Sequence, residues 1–343
     1  MSVGIVRSDI FLAHETDPYH PENPERLRRI YAMLDNMGSE GITDVSPRMA
    51  THEEIGLVHD MRYVEAIAST KGKQVRLDPD TTASPRSYEA ACMAVGGTLR
   101  LADMLLNNEV DSAFGLVRPP GHHAERNRAM GFCIFNNIAI AAEYLKTRYG
   151  LQRIMIVDFD LHHGNGTQHI FYMDPMVLYL STHQYPYYPG TGGIDEIGDG
   201  EGKGYTINVP LPYGMGDGDY VYIFKEVFVP VADQFKPEAI LCSAGFDTHR
   251  NDPLGGMAVT EKGFAMMTRI ILNTAKRHCE GRALFGLEGG YDLNALTSSV
   301  KAVIMEMKGV PYSDQNEEEE GYSDRTVDIV ERVKKIHRGN WQF

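Results

Sequence analysis

Four runs of the 343-residue chain place proton-transferring or metal-binding side chains directly after short apolar segments. RIMIVDFD opens into Asp158-Phe159-Asp160-Leu161-His162-His163-Gly164. Strand side chains alternate with a period of two, so Asp158, Asp160 and His162 are expected on one side and Phe159, Leu161 and His163 on the other. Two carboxylates and an imidazole at the exit of an apolar strand make a nest for a divalent metal. As mere decoration, the three polar groups would sit beside the core at a high desolvation cost. AILCSAGF runs into Asp247, DSAFGLVR into Pro119-Pro120-Gly121-His122-His123, and RALFG into Leu287-Glu288-Gly289-Gly290-Tyr291. Each of these has a plainer reading alone: Asp247 as a helix cap or turn residue, the histidine pair as surface or core imidazoles, Tyr291 as a core or rim aromatic.

The elements that must position them decide between these readings. Apolar, β-branched runs at Asp111–Val117, Arg153–Phe159, Met176–Thr182, Tyr205–Leu211, Ala239–Ala244 and Arg282–Leu287 read as strands. Segments of helical period fall between them, at Ser87–Leu106, Phe135–Arg148, Tyr220–Phe235 and Lys262–Arg277. Strand then helix, repeated, predicts an α/β fold with a mostly parallel sheet and helices on both faces. All strand C-termini of such a sheet lie along one rim, and ligands bind outside it, so the four motifs converge on one site. Asp, His and Asp ligands leave a metal with an open position, the catalytic pattern, and thiol ligands are absent. Such a metal acidifies water and polarises a carbonyl, an imidazole moves the proton, and a phenol stabilises the oxyanion. The sum is metal-assisted amide hydrolysis.

Composition narrows the remaining classes. The chain has 33 Lys+Arg against 47 Asp+Glu, a net charge of −14, with 43% hydrophobic and 23% charged residues. That describes a globular protein without the dense basic surface a nucleic acid needs. No run of 18 apolar residues and no basic-then-apolar leader appears, so neither a membrane span nor secretion is expected. Cys92, Cys133, Cys242 and Cys279 are widely spaced, which fits a reduced, cytoplasmic protein. No repeat and no linker divides the chain. Its one compositional break is NEEEE at Asn316–Glu320, followed by TVDIVERVKKIHR, a short amphipathic helix. Residues 1–310 are therefore expected to form the catalytic domain, with 311–343 packed on it or appended. Homo-oligomers are compatible with this reading, with the N-terminal loop His14 to Arg26 and the tail after Asn316 as contact surfaces.

The motifs HPENPERLRRI, LDPDTTASPRSYEAA, RPPGHHAERNRAMGFCIFNN, VDFDLHHGNGTQHIF, YYPGTGG, SAGFDTHRNDPLGG and LEGGYDL occur in that order. From about Leu12 to Val310 the chain resembles the zinc-dependent histone deacetylases of the class II type and their bacterial relatives in the arginase/deacetylase superfamily. The resemblance implies the single-domain arginase/deacetylase fold, with a sheet of about eight strands. It implies Asp160, His162 and Asp247 as ligands of one Zn2+, His123 as general base and acid with His122 as its electrostatic partner, and Tyr291 as the tyrosine binding the acyl carbonyl. Asp158 would orient His122 and, with Asp160, His162, Ser181 and Thr182, hold a structural K+. A second K+ would use backbone carbonyls of Phe171, Asp174, Val177 and Tyr205.

Gly131 and Phe132 match the acyl-channel segment, and Tyr188 stands where the family usually has a second channel phenylalanine. Gly289 borders the same channel. Asn165 matches the position of an Asp partner of the base histidine in class I members, so His123 would have a neutral partner. His163 is left with a structural hydrogen bond. Leu254 lies in Asp252-Pro253-Leu254-Gly255-Gly256, where relatives that prefer acetylpolyamines carry a glutamate. The expected substrate is therefore acetyl-lysine in a peptide or protein, with a small acetylated amine as the alternative. A di-manganese ureohydrolase would need further bridging carboxylates, and a silent acyl-lysine reader would have lost a ligand, His123 or Tyr291. An Asp/His/Asp site discriminates poorly between zinc and iron(II), so Fe2+ is an alternative metal in the cell.

Overall fold

The computed structural model describes residues 1–312 and 321–343. The acidic run at Asn316–Glu320 lies outside the described residues. The strands are β1 Val3–Val6, β2 Ile42–Val45, β3 Val75–Arg76, β4 Thr82–Ala83, β5 Ser112–Gly115, β6 Ile154–Asp158, β7 Val177–Gln184, β8 Thr206–Leu211, β9 Ala239–Ala244 and β10 Ala283–Leu287. Eight form one sheet in the order β2-β1-β5-β10-β9-β6-β7-β8. Every pairing in it is parallel. β3 and β4 form a separate antiparallel pair.

At the centre, every residue of β6 (IMIVD), β9 (AILCSA) and β10 (ALFGL) is buried. Alternate residues point to opposite faces, so helices must cover both, and this is why these strands read as unbroken apolar runs. The strand β9 has the bounds expected from sequence, whereas β5 is shorter than Asp111–Val117, covering Ser112–Gly115. β1 and β2, whose four-residue runs gave no clear signal, complete one edge of the sheet.

The helix Ser87–Leu106 matches its sequence expectation, and Glu261–His278 is capped by Thr260, whose hydroxyl accepts from the Lys262 N–H. The segment Tyr220–Phe235 is helical as expected but not uniform: it runs as Asp217–Ile223, a wider π turn at Phe224–Phe228, and Val229–Phe235. Pro230 has no N–H to return to the carbonyl of Glu226, so the ladder changes spacing there.

The helix Asp324–His337 packs on the edge strand β8 and buries Val330 and Val333. Thr326 donates to Asp219 at 2.6 Å and the Trp341 indole to the Gly204 carbonyl at 2.8 Å. An otherwise open sheet edge is thereby covered. Among the described residues, no helix is long and apolar enough to cross a membrane.

Candidate active site

The C-terminal ends of β6, β9 and β10 lie side by side, because β9 is hydrogen-bonded between the other two. Register pairs Asp158 of β6 with Ser243 of β9 and with Ser181 of β7. β6 stops at Asp158, so strand alternation does not carry Asp160 and His162 to the same side as expected. The turn does so instead: the Asp160 N–H donates to Asp158 at 3.2 Å, and the His162 N–H to Asp160 at 2.8 Å.

The result is a compact donor set. His162 Nδ1 lies 3.2 Å from Asp160 Oδ1 and 3.1 Å from Asp247 Oδ2, and the ligand atoms of Asp160, His162 and Asp247 all fall within 4.8 Å of one another. Backbone donors hold both carboxylates, Gly289 N on Asp160 at 2.9 Å and Leu161 N on Asp247 at 2.9 Å. Only glycine fits at 289, since a Cβ there would stand 2.3 Å from an Asp247 oxygen. Burial disfavours charge on His162, yet its hydrogen bonds to Asp160 and Asp247 lift its pKa to about 9. Two carboxylates in a dry site demand a cation, and the donor set suits a divalent metal.

Beside it stand the paired imidazoles, ring centroids 4.0 Å apart. His122 Nδ1 is 3.1 Å from Asp158 Oδ2, which also accepts from the Tyr179 hydroxyl at 3.0 Å. His123 Nδ1 is 2.7 Å from Asn165 Oδ1. Burial works against charge on His122, but Asp160 and Asp158 outweigh it and raise its pKa to about 10. Burial, then the positive charges of His122 and His162, push His123 well below the imidazole range. Two neighbouring histidines are thus driven apart, His122 toward the charged form and His123 toward the neutral one.

Above these groups is a narrow pocket of about 90 Å3, lined by His122, His123, His162 and Tyr291 together with Gly131, Phe132, Tyr188, Leu254 and Gly289. The expected channel residues are therefore all brought to one cavity. Gly131 (φ 57°) and Phe132 (φ 69°) are both left-handed, and at 131 a Cβ would meet the His123 ring at 2.4 Å. Tyr188 packs edge-on to His123 at 5.2 Å. His163 lies away from the pocket, bonded to Thr191 at 2.7 Å and Gln168 at 2.9 Å.

Two of the residues expected around the first potassium meet in the sheet. Asp158 pairs with Ser181 across β6 and β7, and the neighbouring Thr182 hydroxyl is buried without a partner. At the second group, Asp174 N donates to the Phe171 carbonyl at 3.0 Å, Val177 N to the Asp174 carbonyl at 3.4 Å, and Tyr179 N to the Tyr205 carbonyl at 2.8 Å.

Sequence reading missed several contributors. Glu288 Oε2 accepts from Gly121 N at 2.7 Å and His122 N at 3.2 Å, and burial raises its pKa to about 7. Asp252 joins two walls, accepting from Tyr291 N at 2.6 Å and Leu254 N at 2.9 Å. Asp80 lines the pocket and accepts from Gly131 N. Arg26 donates to the Gly290 carbonyl at 2.7 Å and the Glu288 carbonyl at 2.6 Å, with its guanidinium 5.1 Å over the Tyr291 ring. The loop from His14 to Arg26 forms this brace from its ends, where His14, Glu22 and Arg26 are buried and tied to the equally buried Arg118, while Tyr19 at its middle is fully exposed. Its one sequence signal was the charge density of HPENPERLRRI, a run too polar to be read as interior.

Comparison with known proteins agrees with this geometry. Residues 20–307 match the histone deacetylase domain. A probable deacetylase of Archaeoglobus fulgidus is 40% identical over 100% of this chain and 99% of its own. Histone deacetylase 14, chloroplastic, of Arabidopsis thaliana is 39% identical over 93% of this chain and 81% of its own. The solved HD domain of HDA15 has a TM-score of 0.92 at 37% identity, covering 99% of this chain and 95% of that one. With its parallel sheet, its strand-end site and a histone deacetylase domain matched over residues 20–307, the chain belongs to the histone deacetylase family.

Proposed function

We propose that this deacetylase is a zinc-dependent amidohydrolase that removes acetyl or another short acyl group from the ε-amino group of lysine. The observation that carries the proposal is that the Asp160, His162 and Asp247 donors cluster at a narrow pocket which His162 lines together with His122, His123 and Tyr291. Zinc held by those three residues supplies Lewis-acid polarisation of the amide carbonyl and acidifies a water. His123 takes the proton from the attacking water at Nε2, since Nδ1 is engaged by Asn165. It returns that proton to the leaving amine nitrogen, which also takes up the proton of the new acid, so water and amide become a carboxylate and an ammonium group. His122, paired with Asp158, holds a neighbouring positive charge that keeps His123 from being protonated prematurely. The Tyr291 hydroxyl donates to the oxyanion. Phe132 and Tyr188 flank the methylene stem of the lysine. Iron(II) is the alternative metal for the same donors in the cell.

Structural potassium ions complete the proposal. The pairing of Asp158 with Ser181, beside the turn that carries Asp160 and His162, supports the site at Asp158, Asp160, His162, Ser181 and the Thr182 carbonyl. The one at the Phe171, Asp174, Val177 and Tyr205 carbonyls rests on the family resemblance, and three of these carbonyls also accept backbone N–H groups. Four buried free thiols are in keeping with a reducing cytoplasmic location.

Leu254, uncharged at the pocket, favours acetyl-lysine over an acetylpolyamine. The second reading, an acetylpolyamine amidohydrolase, has Asp80 in its favour, because that carboxylate also lines the pocket and suits a distal ammonium. The test is kcat/KM of the zinc-loaded protein on an ε-acetyl-lysine peptide and on N-acetylputrescine. Preference for the peptide is expected; preference for the amine would replace the first reading by the second.

A further inference from the structure

We infer that Glu125 is a positioning residue for the reaction, setting the orientation of the Asn165 amide and through it the ring tautomer of His123. The inference rests on the base role given to His123 above. Glu125 is 8% exposed and sits at the start of a tight turn, its N–H donating to the Arg128 carbonyl at 3.0 Å. Its Oε1 accepts from Asn165 Nδ2 at 2.6 Å and from His169 Nδ1 at 2.8 Å. Asn165 is itself 2% exposed, and its Oδ1 lies 2.7 Å from His123 Nδ1.

An asparagine amide keeps its shape when turned by 180°, but it exchanges an acceptor for a donor. With the amino group toward His123, Nδ1 would have to accept, and the ring proton would sit on Nε2. His123 could then no longer act as a base at the nitrogen left free by Asn165. The remaining neighbours of Asn165 Nδ2 are the His123 carbonyl and the Met130 sulfur, both at 3.4 Å, too distant to decide the orientation firmly. Glu125 decides it, because an ionised carboxylate only accepts and therefore only the amino group satisfies it. The acceptor Oδ1 is left for His123, Nδ1 carries the proton, and Nε2 keeps its lone pair. An aspartate at position 165 would offer an acceptor either way round; an asparagine needs a neighbour that reads it.

Kinetics and 15N-histidine NMR on the metal-loaded, full chain test this. Glu125→Ala is expected to lower kcat about tenfold, with KM within about twofold and metal content unchanged, and to shift His123 away from the Nδ1–H tautomer. Glu125→Gln, whose amide oxygen still accepts, is expected to stay within about threefold of the parent. Asn165→Asp alone sets two carboxylates against each other and is expected to lose about tenfold. The double variant Asn165→Asp/Glu125→Gln restores a donor–acceptor pair and is expected to recover to within about threefold. Equal activity of Asn165→Asp with Glu or Gln at position 125, or an unchanged His123 tautomer in Glu125→Ala, would overturn the inference. If no acetyl-lysine substrate is turned over, the proposed function fails while the tautomer comparison still decides the link from Glu125 to His123.

Discussion

The floor and the mouth of the pocket are built differently. At the floor, Asp158, Asp160 and Asp247 are fully buried, and each is held by backbone donors or a partner side chain. Their backbone stands at or just beyond the ends of β6 and β9, where the sheet ladder limits movement. At the mouth, Tyr187 and Tyr188 are 40% and 37% exposed and come from the loop after β7. Leu254 is held by its own N–H on Asp252 and by its carbonyl accepting from Tyr187. The difference teaches that the buried donor set is fixed by the sheet, which cannot be varied cheaply, whereas the mouth is built from loops, which can.

Substitutions at the floor should break this contrast most severely. Asp247→Ala is expected to lower kcat/KM roughly 1,000-fold or more and to release the metal, measured as zinc per chain together with turnover. Retained turnover with full zinc would remove Asp247 from the donor set. Next, Tyr291→Phe should cost about 100-fold or more in kcat while zinc stays bound, because one oxyanion donor is lost and the ring remains. Unchanged kcat would take the oxyanion role away from this tyrosine.

Mouth substitutions should act on choice between substrates. Leu254→Glu adds a charge beside the channel and is expected to raise the kcat/KM ratio of an acetylpolyamine over an acetyl-lysine peptide about fivefold, the scale of one partly exposed ion pair. A drop in both rates together would mean that Leu254 supports the floor through Asp252. Tyr188→Phe is expected to have the smallest effect, under about threefold on any acetylated substrate, since the ring against His123 is kept. A tenfold change would make the Tyr188 hydroxyl a direct substrate contact.

How much was legible follows the same division. His122, His123, Asp247 and Tyr291 could be found because each follows an apolar run, and parallel strands bring such ends together. Asp160 and His162 were placed by an alternation that in fact stops at Asp158, and the turn hydrogen bonds, not the pleat, bring them in. Glu125, Asp252 and Asp80 escaped because each acts through a hydrogen bond to a partner distant in the chain. Arg26 reaches the Gly290 carbonyl across 264 residues, a contact no local pattern can announce.

By itself, the sequence determined the parallel α/β sheet and the chemical set gathered at its rim, because strand periodicity and residue type are local properties. Tertiary structure alone decided which nitrogen of His123 is free, how Tyr291 is braced and that Asp80 joins the channel wall. These depend on distances and orientations between segments far apart in the chain, and only the packed fold brings them within hydrogen-bonding reach.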